Sequence, residues 1–294
     1  MKKFSIIKIV LTILLFAVLF VKINLFDVAN IILSLKCIYL LGAFILLPIL
    51  YSIRTIRWNI FLRFFGINLR FIKLFKIMII GIFYGLITPG KVGELGRAYH
   101  VTEKKMITLP TIIMEKIIDI ATLIGLSLVT VLVYFPNDTI MLLIIVSLII
   151  VLVLGVFFLL NSKLIYKLVK ILGIQDNECD KFTHHFRKML GNYSIMAKSF
   201  SLSFLYYIIC YFICYFISLA AKFNPIVVIT FPIIILMGNI PVTISGLGLR
   251  ESVGSLLFTY LGEPPANGFV FAFLIFIVIT VIPGIVGYFL LLRE

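Results

Sequence analysis

Two short segments of the sequence combine a proline, glycines and opposite charges in a pattern suited to binding a charged group. Residues 88–97 read TPGKVGELGR, and residues 239–251 read NIPVTISGLGLRE. In each segment the proline removes a backbone donor and ends a helix, and the glycines let the chain turn. The arginine that accompanies an acid in each segment can donate two parallel hydrogen bonds to a phosphate. The pattern therefore indicates a binding site for a charged group.

Seven side chains are candidate contacts to such a group, and four of them are acids. Glu115 and Asp119 lie four residues apart, hence on one face of a helix, where both carboxylates can meet a basic partner. We expect Arg97 and Arg250 to contact phosphate, while the acids position these arginines or recognise a cationic headgroup. The alternative is that the acid–arginine pairs are structural salt bridges that hold two interrupted helices. The candidates are Lys91, Glu94, Arg97, Glu115, Asp119, Arg250 and Glu251.

The elements that position these charges must be membrane helices. Of the 294 residues, 63% are hydrophobic and 13% are charged, and the mean hydropathy is +1.23. Soluble domains do not have this composition, and the apolar runs approach the roughly 20 residues that cross a bilayer. We predict an all-α polytopic membrane protein in which residues 1–294 form a single membrane domain. The six predicted full spans are 4–21, 37–53, 111–135, 139–160, 200–221 and 269–292.

Two further apolar stretches, 74–89 and 225–241, are short and end in the proline- and glycine-rich segments, so we predict broken helices there. A lone charge at the centre of a membrane helix costs about 2.5–3.5 kcal/mol, so charges near these breaks must be paired, hydrated or interfacial. Interrupted helices in corresponding halves of a chain are typical of transporters built from inverted repeats. We therefore predict that two hairpins meet near the bilayer midplane and form a polar path.

Basic residues predict which ends of the helices face the cytoplasm. Placing both termini and the segments 54–76, 97–105 and 161–199 inside accounts for 20 of the 26 Lys and Arg residues, as the positive-inside rule requires. Both broken helices must then return to the side they entered from, as re-entrant hairpins. The alternative, in which each broken stretch crosses the membrane fully, stays open. The run at 4–21 is predicted to be a retained anchor, because no small-residue cleavage site follows it.

Other charged segments have simpler interpretations. Residues 54–65 have the apolar spacing of an interfacial helix, and we expect Arg54 and Arg57 to face lipid phosphates or anchor the topology. The loop 161–199 is predicted to be solvated. Its acids, cysteine and histidines match no metal site that we know, so we expect no metal. The net charge is +14. The basic residues border the spans, which favours anionic lipid over nucleic acid as a partner.

Enzymatic signatures are not found in this sequence. We find no Walker loop, dinucleotide fingerprint, zinc-protease motif or nucleophile elbow. We therefore expect no cofactor, no ATP-driven pumping and no hydrolysis. The four cysteines show no disulfide framework and are predicted to pack as apolar residues.

Several motifs, in order and spacing, resemble the flippase-like domain of lysylphosphatidylglycerol synthases over almost the whole chain. They are Arg57-Trp58, Pro89-Gly90-Lys91-Val92-Gly93-Glu94 with Arg97, Glu115-Lys116 with Asp119, and Gly246-Leu247-Gly248-Leu249-Arg250-Glu251. At Lys116 the family pattern has an arginine. The resemblance implies a membrane domain that translocates or handles lipid. In some members it is fused to a soluble domain that transfers an aminoacyl group from tRNA, an activity we do not expect of this chain alone.

The sequence leads to one main hypothesis and two alternatives. The main hypothesis is a lipid translocase of the cell membrane, not an enzyme, that moves a phospholipid while its acyl or prenyl tails stay in the bilayer. Polyprenyl-phosphate lipid is a second candidate cargo, because in other relatives the domain accompanies glycosyltransferases that act on such lipids. The alternatives are a membrane enzyme or enzyme subunit acting on a lipid headgroup, and a scaffold for a glycosyltransferase. A partner enzyme or a homo-oligomer is compatible with each.

Overall fold

A computed structural model describes residue 19 and residues 23–88, 91–101, 105–161, 176–240, 243 and 245–293. Within these residues the regular secondary structure is helical, which confirms the predicted all-α fold. The span predicted at 4–21 lies outside the described residues, apart from Leu19. Pro89 and Pro241, which are predicted to end the two broken helices, also lie outside them.

The described residues form eleven α-helices, two 3₁₀ helices and one π-helical turn. The α-helices are α1 (Leu25–Leu33), α2 (Cys37–Phe64), α3 (Phe71–Ile87), α4 (Lys105–Tyr134), α5 (Thr139–Leu160), α6 (Asp176–Leu190), α7 (Tyr193–Ala220), α8 (Phe231–Gly238), α9 (Leu249–Tyr260), α10 (Pro265–Phe276) and α11 (Ile282–Leu291). The 3₁₀ helices are Val92–His100 and Pro225–Thr230, and the π-helical turn is Ile277–Val281.

Five of the described helices are long and apolar enough to cross a membrane, and each overlaps a predicted span. By length and composition they are Cys37–Phe64, Ile107–Tyr134, Thr139–Leu160, Tyr193–Ala220 and Pro265–Leu291. Within helix α5 the only buried residue is Ile145, and the other apolar side chains are exposed or partly exposed, as on a surface that contacts lipid. The chain is therefore an integral multi-pass membrane protein.

Helix α2 corrects the prediction of a separate interfacial helix at 54–65. The helix runs without a break to Phe64, and the side chains of Arg54, Arg57 and Trp58 are buried. Hydropathy ends a span at the first arginine, but a buried arginine can be accommodated when carboxylates of another helix compensate its charge. Helix α4 supplies such carboxylates to Arg57.

Helix α6 corrects the prediction that the loop 161–199 is solvated throughout. Phe186 and Met189 of this helix are fully buried and pack in one cluster with Phe61, Met114 and Ile118. These apolar side chains follow the helical spacing of an amphipathic helix that covers a core. The helix is further fixed at the end of α5, where the Nε of Arg187 donates to the carbonyl oxygen of Leu160 at 3.1 Å.

Both predicted broken helices are interrupted where the sequence indicates. Helix α3 ends at Ile87, and the 3₁₀ helix Val92–His100 follows it. The short helix α8 ends at Gly238, and α9 begins only at Leu249. Entry and return of these segments on one side of the membrane remains a prediction.

The described residues divide into two compact units. The first unit contains residues within 1–51, 78–94 and 207–294, and the second contains residues within 52–77 and 95–206. Glycines allow close packing within the first unit, because a Cβ at Gly268 would lie 2.2 Å from the Gly254 carbonyl oxygen and one at Gly287 would lie 2.3 Å from that of Ile79. Such small-residue contacts are characteristic of packed membrane helices.

The last span of the first unit contains a backbone irregularity, and a tyrosine hydroxyl donates a hydrogen bond to a carbonyl oxygen there. In a regular α-helix the Ile279 carbonyl would accept a hydrogen bond from residue 283, which is a proline without an N–H. The hydroxyl of Tyr51 donates to this carbonyl instead. The π-helical turn Ile277–Val281 ends two residues before Pro283, so the side-chain donor satisfies a backbone group that the irregular helix leaves exposed.

Replacing Tyr51 with phenylalanine is expected to lower the free energy of unfolding by about 1–3 kcal/mol, because the Ile279 carbonyl would lose its donor. Thermal melting of the detergent-purified variant measures the loss. Tyr134→Phe is the matched control, since Tyr134 is 45% exposed, and this variant should melt like the wild type. Equal melting of the two variants would contradict the proposed backbone role of Tyr51.

Candidate functional site

Four charged side chains of the second unit form one buried network. Arg57 donates from Nη1 to Asp119 Oδ1 at 2.5 Å and from Nη2 to Asp119 Oδ2 at 2.9 Å. The same Nη2 lies 3.4 Å from Glu115 Oε1. The other oxygen of Glu115 accepts a hydrogen bond from Arg97 Nη2. The expectation that Glu115 and Asp119 meet a basic partner from one helix face is confirmed, and they meet two arginines.

Neighbouring polar and aromatic groups fix the members of this network. The guanidinium of Arg97 lies 4.3 Å from the ring centre of Trp58, a favourable cation–π distance. The indole of Trp58 donates to the Thr111 hydroxyl at 3.1 Å. The hydroxyl of Ser203 donates to Asp119 Oδ1 at 3.2 Å. Helices α2, α4 and α7 and the 3₁₀ helix Val92–His100 each supply at least one member.

The network is buried and contains both signs of charge, and the nearby positive charges of Arg54 and Lys116 also act on Asp119. Two guanidiniums face two carboxylates, and the side chains of Arg57, Arg97 and Glu115 are at most 1% exposed. Asp119 is the most accessible of the four, at 15%. A buried, compensated network of this kind holds helices in register, and removing one member leaves an uncompensated charge.

The second charged pair, Arg250 and Glu251, lies in the first turn of α9 in the first unit. Glu251 uses one carboxylate oxygen to accept a hydrogen bond from the Gly248 N–H at 2.7 Å, which caps the start of the helix. Its other oxygen lies 3.4 Å from Arg250 Nε. Arg250 Nη2 lies 3.4 Å from the Ser245 carbonyl oxygen, and its guanidinium lies 4.2 Å from the ring centre of Phe276.

The turn that precedes α9 and Arg250 contains three residues with positive φ angles. Ser245, Gly246 and Gly248 have φ values of 51°, 77° and 82°. Gly246 also approaches Gly238 so closely that a Cβ would lie 2.1 Å from the Gly238 carbonyl oxygen. Glycine at position 246 is therefore required both by the backbone angle and by the space available.

The remaining two candidates lie in the first unit: Lys91 directly precedes the 3₁₀ helix Val92–His100, and Glu94 lies in the first turn of that helix. Lys91 is half-buried and has a φ of 55°. Glu94 is buried and packs against Gly85, where a Cβ would lie 2.7 Å from its Cγ. The structure thus brings Arg97, Glu115 and Asp119 into one network and Arg250 and Glu251 into another site.

Sequence reasoning missed some members of both sites. Arg57 was expected to face lipid phosphates or anchor the topology, yet it binds both acids of α4. Its position beside Trp58 within a long apolar run was the available signal for a buried role. Ser203 and Phe276 gave no signal, because a serine or a phenylalanine in an apolar span is ordinary in sequence.

Metal binding and disulfide formation find no support in the described part of the chain. Its side chains include no group of three or more His, Cys, Asp and Glu residues that could hold a metal ion. Cys37, Cys210 and Cys214 are free thiols. Cys210 and Cys214 are buried, as predicted for packing residues, whereas Cys37 is exposed and does not fit that prediction. The side chain of Cys179, which belonged to the candidate metal cluster, lies outside the described residues.

Comparison with known proteins assigns the family. Searches of curated proteins and of solved structures found no significant match. The family model described as the lysylphosphatidylglycerol synthase TM region matches residues 5–287, which include every charged residue of both sites. The chain belongs to the family of the lysylphosphatidylglycerol synthase transmembrane region.

Proposed function

We propose that the protein is a lipid translocase, not an enzyme, and that it moves a phosphate-bearing lipid across the cell membrane with Arg250 as a contact to the phosphate. Membership of the family supports a lipid-handling role. The tails of the cargo would stay in the bilayer, in keeping with the lipid-exposed apolar side chains of the spans. Phospholipid and polyprenyl-phosphate lipid are the two candidate cargoes.

The incomplete satisfaction of Arg250 carries the proposal. Its side chain is 2% exposed, yet its two described hydrogen bonds are both 3.4 Å long, beyond the usual range of about 2.7–3.2 Å. Arg57, by contrast, holds Asp119 in a two-bonded pair at 2.5 and 2.9 Å, although its Nε has no hydrogen-bond partner in the described structure. A buried guanidinium with long contacts keeps donors for a ligand, and the planar fork suits a phosphate.

The network of the second unit supports a different role for Arg97. Its Nη2 is engaged by Glu115 and its plane lies over Trp58, so we propose that this arginine chiefly holds the second unit together. Lys91 and Glu94 remain predicted cargo contacts. Asp119, the most accessible acid of the network, remains the candidate for recognising a cationic headgroup.

We also propose that both chain termini and the segment 161–199 face the cytoplasm. A cysteine at Tyr193, which is 87% exposed, tests this in a variant lacking native cysteines. A membrane-impermeant maleimide should label it in inside-out vesicles and not in intact cells. Asn137→Cys, in the exposed turn between α4 and α5, is the matched control and should show the reverse pattern. Labelling of residue 193 from outside the cell would invert the topology.

Reconstitution separates the translocase from its alternatives. The purified protein is placed in liposomes that contain fluorescent phosphatidylglycerol, and dithionite bleaches the label in the outer leaflet. We expect bleaching to exceed the half obtained in protein-free liposomes, with the lipid chemically unchanged. A modified lipid would identify an enzyme that acts on the headgroup. If the protein neither flips the lipid nor forms a product, both activities are contradicted and a scaffold is favoured.

A further inference from the structure

Two buried hydroxyl groups before α9 have no hydrogen-bond partner among the residues that the structure describes. Thr243 and Ser245 are 0% and 1% exposed, and neither hydroxyl oxygen has a hydrogen-bond partner in the described structure. Some buried hydroxyls within helices, such as those of Thr130, Ser218 and Thr230, donate to a carbonyl three or four residues earlier. The buried hydroxyls of Ser127, Ser199 and Ser255, which also lie in helices, have no partner in the described structure. Thr243 and Ser245 lie outside any helix, where this local partner is not offered.

Ser245 lies directly beside the guanidinium of Arg250. Its carbonyl oxygen is the 3.4 Å acceptor for Nη2, and Nε is directed to Glu251. Nη1 has no hydrogen-bond acceptor among the described residues, while Phe276 contacts the face of the guanidinium. The guanidinium therefore lies beside Ser245, a buried residue whose hydroxyl has no partner in the described structure, and Thr243 precedes Ser245 by two residues.

The positive φ angle of Ser245 supports a functional role for its hydroxyl. A φ of 51° costs a residue with a side chain on the order of 1 kcal/mol, a strain that glycine avoids. Glycine occupies two of the next three positions, 246 and 248. Serine at 245 thus places a hydroxyl where the backbone favours glycine, and the hydroxyl makes no contact in the described structure that explains it.

We propose that the hydroxyls of Ser245 and Thr243 donate to a phosphate ester and, with Arg250, form its binding site. This inference rests on the proposed function, since it assigns two further contacts to the same phosphate. A carboxylate offers two coplanar oxygens that one guanidinium can satisfy, whereas a phosphate has acceptor oxygens in more directions. Donors of two kinds therefore fit a phosphate. The N-terminus of α9 is already capped by Glu251, so the phosphate would be held by Arg250 and the two hydroxyls.

Ser245→Gly gives the sharpest test, because it removes the hydroxyl and relieves the backbone. We expect this variant to melt at or above the wild-type temperature and to bind short-chain phosphatidylglycerol about tenfold more weakly. Thr243→Val, which keeps the shape of the side chain, should weaken binding to a similar degree. Titration calorimetry on the detergent-purified full chain measures the affinity, and thermal melting reports folding.

Ser255→Ala is the matched control. Ser255 is 7% exposed and its hydroxyl also has no partner in the described structure, but it lies next to Gly268 of α10. Its loss should leave affinity unchanged. The inference is overturned if the wild type binds no phosphate-bearing probe, if Ser245→Gly and Thr243→Val bind like the wild type, or if Ser255→Ala weakens binding equally.

A soluble probe distinguishes the source of the phosphate. If glycerol phosphate binds the wild type, and the variants lose affinity for it in parallel with their affinity for phosphatidylglycerol, the site recognises the phosphate ester itself. If only phosphatidylglycerol binds, the lipid chains are also required. Binding that depends on both hydroxyls in a protein that moves no lipid in liposomes would leave this site standing and remove the translocase proposal.

Discussion

Arg250→Ala should abolish lipid transport in liposomes while the protein stays folded. The two hydrogen bonds that this side chain makes in the described structure are both 3.4 Å long, so their loss alone should cost little. Because the fully buried Glu251 also loses its counter-charge, we expect Arg250→Ala to melt earlier than Arg250→Lys, which keeps the charge. Glu251 would keep its bond to the Gly248 N–H. Arg250→Lys preserves the charge but not the planar fork, and we expect at least a tenfold loss of transport, or about 1.4 kcal/mol, with near-normal melting.

Arg57→Lys is the matched control for Arg250→Lys. It breaks a two-bonded pair with Asp119, so it should lower the melting temperature first and transport only as a consequence. The phosphate role of Arg250 would be wrong if Arg250→Lys and Arg250→Ala both melt early and the double variant Arg250→Ala/Glu251→Ala regains stability and transport together. These two charges would then only hold the turn before α9.

The helices were largely predictable because a bilayer permits few backbone arrangements. The predicted span 139–160 coincides with α5, whose residues carry no charge. The prediction failed at the end of α2, where hydropathy stops at Arg54 and the helix continues to Phe64. A hydropathy pattern cannot report that Glu115 and Asp119 of another helix compensate Arg57.

The sequence predicted most of the charged residues that form the sites, but it predicted only part of their pairing. The spacing of Glu115 and Asp119 indicated a basic partner, but it could not identify Arg57, which lies 58 positions before Glu115. The hydroxyls of Ser245 and Thr243 carried no signal, because serine and threonine are common in turns. Their burial, their lack of partners and the positive φ of Ser245 are properties of the fold alone.

Glu115→Ala should be among the most destabilising single substitutions in the second unit. Glu115 is fully buried and contacts both Arg57 and Arg97, so its loss leaves buried positive charge in excess. Removing one partner of a buried ion pair costs about 3–5 kcal/mol, which should appear as early melting in detergent. Glu263→Ala is the control, since this half-buried acid bonds to Asn267 and should melt like the wild type. If Glu115→Ala melts at the same temperature as the wild type, the structural role of the network is contradicted.

The double variant Arg97→Met/Glu115→Met separates a structural role from contact with the cargo. Replacing a buried ion pair by apolar side chains of similar volume is often neutral or stabilising, and Arg57 would keep its two bonds to Asp119. We expect the double variant to recover the stability that Glu115→Ala loses, and to recover transport with it, because Arg97 is held by Glu115 and Trp58. A stable double variant without transport would instead make Arg97 or Glu115 a contact to the cargo, as the residue pattern first indicated.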